Sequence, residues 1–260
     1  MDCFDSELFG EVFMPNSFEE IVSSLQKKPS LANGVVRMWR GQASISWPLH
    51  SGAYRRLLQD DKTPTEKSMV FYEKRLLTRA THRGLRKYEG VELSDFELLA
   101  RLQHHGAATR LLDASRNALV ALYFACREHP EEVGALFGIH SNYLGGYEQE
   151  PLTTTYDVEM AAISNFSHPQ TWQPSSVSPR IAAQHSQFLF SAVSKHKMGS
   201  LYIEDAEDAL LTIAISPSLK SEILGILRDI FDIRFLSLFP DLDGFCEANS
   251  QSQIEVTNRW

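Results

Sequence analysis

The stretch NALVALYFACR, residues 117–127, is apolar on nearly every side. A helix with this pattern buries its whole circumference, so we expect it at the centre of the domain and not on its surface. Short runs rich in Phe, Leu, Ile and Tyr follow it and predict strands at 135–140, 187–193, 201–204 and 210–215. A buried helix among short strands predicts an α+β fold, with a small central mixed or antiparallel sheet flanked by helices.

Helix-start signals place further helices around this core. Ser17-Phe-Glu-Glu20 and Ser94-Asp-Phe-Glu97 have the spacing of a capping box, in which the Ser caps a helix N–H and the Glu reaches back. Pro217 stands in a first helical turn, where its missing N–H costs nothing. The predicted helices cover 17–28, 65–87, 94–106, 158–166 and 216–229. A strand at 35–40 follows the Asn33-Gly34 turn signal and carries Arg40.

The domain organisation follows from length and composition. With 260 residues, 43% of them hydrophobic, the chain can bury a substantial core, and we expect a single domain over 1–260. Residues 1–32 form a helical lead-in in this interpretation. The polar stretch 141–179 is a long insert or a lid loop, because loops of this length in compact domains are usually functional covers.

Composition also limits the function. The three cysteines are far apart, which indicates reduced thiols, and no apolar run is long enough to span a membrane, so we expect a cytoplasmic protein with no membrane partner. A net charge of −8 restricts any contact with nucleic acid to a local patch. The motifs GxxxxGK, GxGxxG, HExxH and GxSxG are absent from the sequence, which weakens kinase-like, Rossmann, zinc-protease and hydrolase interpretations.

Four polar clusters predict one pocket for a phosphate-bearing ligand. They are WRGQ at 39–42, QHHGAATRLLD at 103–113, RIAAQ at 180–184 and PDLDG at 240–244. In the first, an Arg near a strand end stands beside a Gly that lets another group approach the backbone, which suits an anion. The ligand-binding candidates are Arg40, Gly41, Gln42, Gln103, His104, Thr109, Arg110, Asp113 and Arg180.

Each cluster also has a structural interpretation. Arg40 or Arg110 could instead form an ion pair with an acid such as Asp113. Adjacent histidines on a helix point in different directions, so His104 and His105 suit hydrogen bonding better than metal binding. One of Asp241 and Asp243 is expected to cap a helix. The basic stripe of Arg75, Arg79, Arg83 and Arg86 is either a solvated face or a local track for a nucleic-acid backbone.

The ordered motifs resemble those of the FRG domain family. The resemblance rests on WRGQ (39–42), LARLQHHGAATRLLDAS (99–115), ALVALYFAC (118–126), RIAAQHSQFLF (180–190) and LFPDLDG (238–244). Trp39 replaces the Phe of the family's Phe-Arg-Gly, and Ala108 replaces the Pro before Thr-Arg-Leu-Leu-Asp. Neither change removes a polar group.

A strand that ends in aromatic-Arg-Gly also resembles the first NAD-contacting strand of ADP-ribosyltransferases, which implies a fold like theirs. On that resemblance Arg40 would bind the diphosphate or a ribose of NAD, and Gln184, Asp241 and Asp243 are the catalytic candidates. An amide or carboxylate beside the ribose would stabilise the oxocarbenium-like state in which the nicotinamide bond breaks. The strand-borne Glu pair of those enzymes has no clear counterpart, because nothing around Glu204 or Glu255 marks either as catalytic.

Three functions follow as hypotheses. The leading one is an NAD-dependent ADP-ribosyltransferase that uses NAD as its substrate and no metal. It modifies RNA or protein, as a bacterial toxin or anti-phage effector with an antitoxin or regulatory partner. The alternative is a noncatalytic nucleotide-sensing or interaction module. The third is a metal-dependent phosphoesterase that uses Asp241, Asp243 and the histidines.

Overall fold

The computed structural model describes residues 2–25, 37–60, 63–146, 152, 154–166, 168–174, 179–203 and 209–251. The strands are Cys3–Ser6 (β1), Gly10–Phe13 (β2), Arg37–Gln42 (β3), Lys87–Tyr88 (β4), Val91–Glu92 (β5), Leu112–Ser115 (β6), Gly134–His140 (β7), Gln170–Trp172 (β8), Ser186–Phe190 (β9) and Leu210–Ile215 (β10). The helices are Phe18–Leu25 (α1), Gly52–Leu58 (α2), Glu66–His82 (α3), Asp95–His104 (α4), Ala118–Cys126 (α5), Tyr156–Ile163 (α6), Pro179–Ala183 (α7), Pro217–Phe231 (α8), Phe235–Leu238 (α9) and Leu242–Ala248 (α10). A short 3-10 turn, Ser141–Tyr143, follows β7.

Within the described residues, eight strands form one sheet in the order β1-β2-β10-β7-β3-β6-β9-β8, and β4 and β5 form a separate hairpin. Neighbouring strands of the sheet run antiparallel, except that β10 and β2 run parallel. The fold is therefore α+β with a mixed sheet and flanking helices, as the sequence predicts. No helix among these residues is long and apolar enough to cross a membrane.

Helix α5 is the central helix of the molecule. Six of its nine residues are buried, and Asn117 caps its N-terminus by accepting a hydrogen bond from Leu119 N. The helix lies so close to β3 that a Cβ on Gly41 would stand 1.8 Å from the Ala121 carbonyl oxygen. The close approach that the WRGQ glycine permits is therefore that of a helix backbone. The prediction of a core helix at 117–127 is confirmed.

Helix α8 packs against α5 and the sheet through the buried Leu219, Ile223 and Leu227. Its Lys220 is 2% exposed, yet its Nζ donates to the carbonyl oxygens of Ala43 (2.8 Å), Glu128 (3.2 Å) and His129 (2.8 Å). An ammonium group has three N–H donors, so these contacts satisfy it. Lys220 thereby joins α8 to the loop after β3 and to the turn after α5.

The sheet opens into a fork between β3 and β6. These strands share a single residue pair, Trp39 with Ser115, whereas β3 and β7 share six pairs. Beyond Trp39 the two strands separate, so Arg40 and Asp113 stand on opposite arms of the fork. Sheet hydrogen bonding is interrupted there, and polar groups on both arms are open to other partners.

Two secondary-structure predictions are wrong, one for the N-terminal lead-in and one for the end of the helix at 65–87. The lead-in is not helical throughout, because β1 and β2 pair with each other and β2 pairs with β10 at the sheet edge. Its helix α1 is seen to Leu25, and the predicted end at Lys28 lies outside the described residues. The helix predicted at 65–87 ends at His82, and the β4–β5 hairpin follows, turning through Glu89 and Gly90 at positive φ.

The stretch 141–179 is more than a loop. Its described part adds β8 to the edge of the sheet beside β9, and α6 packs through Tyr156, Met160 and Ile163 into the core formed with α4. The strand predicted at 201–204 is not seen over 201–203, and Glu204 and Glu255 lie outside the described residues. Hydrophobic composition alone cannot tell a strand from a buried irregular segment, since both exclude water.

Candidate functional site

A cleft of about 340 Å³ lies at the fork of the sheet. Its lining comes from strands β3, β6 and β9, from helices α2, α4 and α5, from residues 180–184 and from Phe239. Its charged lining consists of four arginines and two acids: Arg40, Arg55, Arg127, Arg180, Asp113 and Glu128. Its aromatic lining consists of Trp39, Trp47, Phe124, Phe188 and Phe239. Its volume falls within the range of small-molecule sites, about 300–1,000 Å³.

Arg40 stands on β3 at the point where the fork opens. Its Nη1 donates to the main-chain oxygen of Asp113 at 2.6 Å, and its Nε donates to Gln42 Oε1 at 3.4 Å. Arg40 forms no ion pair within the described residues, so the salt bridge to the Asp113 carboxylate is not its role. Desolvation lowers the pKa of Arg40 and the nearby Arg55 charge lowers it further, whereas the charge of the Asp113 carboxylate opposes this shift. Two like charges that line one cleft favour the binding of an anion there.

Asp113 presents its carboxylate to the cleft from β6. Gln103 Nε2 donates to Asp113 Oδ1 at 3.0 Å, and Thr109 Oγ1 donates to Gln103 Oε1. The Thr109 hydroxyl fixes the orientation of the Gln103 amide, which in turn fixes the carboxylate. Desolvation by the surrounding protein raises the pKa of Asp113, although Arg40 and Gln103 oppose this shift. A positioned carboxyl group with a raised pKa in a cleft is typical of a functional site.

Arg110 does not face the cleft, contrary to the sequence prediction. It is 1% exposed, and its Nε contacts Glu73 Oε2 at 2.6 Å, its Nη1 contacts Glu66 Oε1 at 3.0 Å and its Nη2 donates to Tyr156 Oη at 2.8 Å. The structural interpretation of this Arg is therefore right, with Glu73 and Glu66 as the partners in place of Asp113. Thr109 is also buried, and it acts through Gln103 without lining the cleft.

Asp241 belongs to a closed network of hydrogen bonds. Arg180 contacts it with two nitrogens, at 2.9 and 2.7 Å, while His104 Nε2 stands 3.3 Å from Oδ2 and Gly244 N donates to Oδ1 at 2.8 Å. Burial opposes ionisation of Asp241, but the bonds from Arg180 and Gly244 outweigh it and lower its pKa. Both oxygens are engaged, and Asp241 caps α10, as the capping interpretation predicts.

The other two catalytic candidates are also placed away from a reacting position. Gln184 lines the cleft, but its Nε2 donates to the Leu238 carbonyl at 3.0 Å and its Oε1 accepts from Ser186. Asp243 has a 65% exposed side chain outside the cleft, with His105 Nδ1 at 3.6 Å. The ligand-binding candidates Gly41, Gln42 and His104 do line the cleft, and Gln42 also donates to the Trp47 carbonyl at 2.9 Å.

His104 separates the cleft from a second hollow of about 420 Å³. Desolvation and the Arg180 charge lower the pKa of His104, which favours its neutral ring. In the described part of the chain, no group of three or more His, Cys, Asp or Glu side chains could hold a metal ion.

The predicted basic stripe is shorter than its spacing suggests. Arg75 and Arg79 are exposed on α3, and Arg83 follows its last turn as the C-cap. Arg86 lies beyond the helix and donates to Asp95 at 2.6 Å and to the Leu93 carbonyl at 3.0 Å. Three arginines remain on this surface, and none of them lines either hollow.

The sequence prediction missed Arg55, Arg127, Trp47 and Phe239 as lining residues. Arg55 lies one turn after Ser51, the N-cap of α2. This helix was not predicted from the sequence. Phe239 lies inside the LFPDLDG motif, and its ring stacks under the Arg180 guanidinium at 4.8 Å. The sequence signal that could have identified Phe239 is the aromatic residue that precedes the two acids of the LFPDLDG motif.

Comparison with known proteins gives one family. Residues 36–133 match the model described as the FRG domain. No curated protein and no solved structure matches the chain. The match covers Arg40, Gln103 and Asp113, whereas Arg180, Gln184 and Asp241 lie beyond it.

Proposed function

The chain carries an FRG domain over residues 36–133, and from this premise we propose that its cleft binds NAD and transfers the ADP-ribose unit to a macromolecule. The observation that carries the proposal is that Arg40 and Arg55 both line the cleft and that the Arg55 charge acts on Arg40. Among the described residues neither forms an ion pair, and desolvation and the Arg55 charge lower the pKa of Arg40 although the Asp113 carboxylate opposes this shift. A diphosphate placed between them would relieve this repulsion and accept charge-assisted hydrogen bonds.

The rest of the lining is compatible with the other parts of NAD. Trp39, Trp47 and Phe124 offer apolar faces for the two aromatic rings of the dinucleotide. Arg180 and Arg127 lie at the other side, where each stacks on Phe239 and pairs with an acid, Asp241 or Glu247. These two arginines are already paired, so we assign the diphosphate to Arg40 and Arg55.

Asp113 replaces the original catalytic candidates in this proposal. Its Oδ2 has no hydrogen-bond partner in the described structure, whereas both oxygens of Asp241 are engaged. During transfer, the C1′–N bond to nicotinamide breaks with its electron pair going to the nicotinamide ring. The Asp113 carboxylate would stabilise the positive charge that develops on the ribose. An acceptor oxygen or nitrogen then bonds to C1′, and its proton passes to Asp113 or to water.

The test follows nicotinamide release and label transfer from labelled NAD, with NAD affinity measured separately by calorimetry. Asp113→Asn should keep NAD affinity and lose turnover by about 100-fold or more, the usual contribution of a positioned acid or base. Arg40→Ala should weaken NAD binding about 10- to 100-fold, since a charged hydrogen bond is lost. Arg40→Lys, which retains the charge, covers the case in which the alanine variant unfolds.

Asp157→Asn and Arg83→Ala are the matched controls, because both residues are exposed and neither lines the cleft. They should leave binding and turnover unchanged. If wild-type protein neither binds nor consumes NAD, the proposal fails.

A noncatalytic nucleotide-binding module is the second candidate. The closed bonding of Asp241 and Gln184 favours it, because these side chains brace the site and do not react. This candidate would be supported if the wild-type protein binds NAD without releasing nicotinamide and if Asp113→Asn binds NAD as the wild type does. The phosphoesterase hypothesis has less support, since the Asp241 oxygens already contact Arg180 and Asp243 stands apart. A role as a toxin or anti-phage effector, controlled by a regulatory protein, belongs to the transferase proposal.

A further inference from the structure

The second hollow adjoins the cleft and has a different chemistry. The β4–β5 hairpin, α4, α10 and Pro174 and Pro179 line it, and it shares Ala100, His104 and Ile181 with the cleft. A group held in this hollow would therefore stand across His104 from the proposed NAD site.

The charge of the hollow is mainly negative. Its lining includes four carboxylates and one arginine: Glu89, Glu97, Asp241, Asp243 and Arg101. Glu97 accepts from Ser94 N at 2.9 Å as part of a capping box, and Asp241 pairs with Arg180. The guanidinium of Arg101 stacks on the Tyr88 ring at 4.1 Å and donates to the Lys87 carbonyl at 3.3 Å.

Two carboxylates remain available for a ligand. Glu89 forms no ion pair within the described residues, and it comes from the hairpin. Asp243 comes from α10 on another side of the hollow, with one neighbour, His105, at 3.6 Å. Negative groups on separate walls attract a cation and repel phosphate.

The apolar lining fits the stem of a long cationic side chain. Leu242 is 74% exposed, and Tyr88, Pro174 and Pro179 lie around the same hollow. Lys and Arg bury their methylene chains along such surfaces while the charged end meets an acid.

We propose that the second hollow holds the acceptor of the transfer, and that it selects a lysine or arginine side chain of a protein. The role of the bound side chain as the acceptor rests on the proposed function. The selection of a cationic side chain rests on the lining of the hollow alone. An RNA acceptor is disfavoured here, because its backbone would meet Glu89 and Asp243. The exposed arginines of α3 line neither hollow.

The test measures binding without NAD, by fluorescence anisotropy of a labelled peptide of alternating glycine and arginine at low salt. The matched probe replaces each arginine with citrulline, which has nearly the same shape and no charge. A labelled oligouridylate is the RNA probe. Wild-type protein should bind the arginine peptide more tightly than both other probes, with affinity falling as salt rises.

The double variant Glu89→Gln, Asp243→Asn should weaken arginine-peptide binding about five-fold or more, given the modest strength of exposed charge pairs. Glu92→Gln, on the same hairpin but outside the hollow lining, should bind as wild type does.

Equal affinity for the citrulline peptide, tighter binding of the RNA probe, or no peptide binding at low salt would each overturn the inference. Because NAD is absent from the assay, these outcomes are separate from failure of the transferase proposal, which NAD calorimetry and nicotinamide release report.

Discussion

At the scale of residues, Asp113 combines an unfavourable electrostatic environment with a position in the cleft lining. Its carboxyl group stands in a concave surface where desolvation raises its pKa, and Gln103 and Thr109 hold it there. A structural carboxylate would instead be surrounded by donors that lower its pKa, as Asp241 is. The opposite directions of these two pKa shifts distinguish Asp113, the acid of our proposal, from Asp241, which caps a helix.

This contrast predicts a pH-dependent stability. The folded protein binds the Asp113 proton more tightly than the unfolded chain does, so stability falls as pH rises from the ordinary value of 3.8 through the raised pKa. Asp113→Asn removes this effect and still accepts the bond from Gln103. The variant should be more stable than wild type at pH 7, with the gain shrinking as pH falls through the raised pKa and lost below 3.8. Urea unfolding at several pH values measures it, and a variant less stable than wild type at pH 7 would contradict it.

The sequence motifs predicted correctly which side chains lie near one another. They were less successful in predicting the direction in which each side chain points. Arg40, Gln103, His104, Asp113, Arg180 and Gln184 all reach the cleft. Arg110 does not, because its direction depends on Glu73, a residue of another helix that no motif includes. Spacing in sequence brings residues together, but long-range partners decide which face of a segment they occupy.

At the scale of elements, Gly41 controls how closely α5 approaches β3. An alanine there would place its Cβ 1.8 Å from the Ala121 oxygen and 2.6 Å from Ala125 N, both of them backbone atoms that cannot rotate away. Gly41→Ala should therefore destabilise the protein by more than about 3 kcal/mol, or prevent folding, as severe overpacking does. Denaturant unfolding or soluble yield measures this.

Gly225 is the matched control, because it lies in α8 with nothing within 4 Å of an added Cβ. Gly225→Ala should be neutral or stabilise by about 0.5–1 kcal/mol, since Ala restricts the unfolded chain and suits a helix. Equal effects of the two substitutions would show that α5 can shift away from β3.

Elements with local signals were predicted well. The capping box opens α4, Pro217 opens α8, and the apolar runs of β7 and β10 are strands as expected. The missed strands β1, β2, β4, β5, β6 and β8 have two to four residues each, and they exist because neighbours pair with them. Such short segments carry too little periodicity to be recognised, and the partners β10 of β2 and β9 of β6 are far along the chain.

At the scale of the whole molecule, the fork is the place where a ligand can act on stability. The fork has two arms, β7 with β3 and β6 with β9. The arms are joined by one residue pair, Trp39 with Ser115, and by the hydrogen bond from Arg40 to the Asp113 carbonyl. Local opening at such a junction costs less than global unfolding, because few ladder hydrogen bonds must break. A ligand that contacts Arg40 and Asp113 together would bridge both arms.

NAD should therefore stabilise the protein and slow amide exchange unevenly. At about 100 times its Kd, a ligand specific for the folded state adds about 2.7 kcal/mol of stability. In hydrogen-exchange mass spectrometry, peptides covering β3 and β6 should gain the most protection. Strands β1 and β2, at one end of the sheet and outside the cleft lining, should gain the least. At the same NAD concentration, Arg40→Ala should reduce the difference between these regions, because it weakens NAD binding. Protection that is uniform across the sheet, or strongest at β1 and β2, would place the ligand elsewhere, because only a ligand at the fork holds the two arms together.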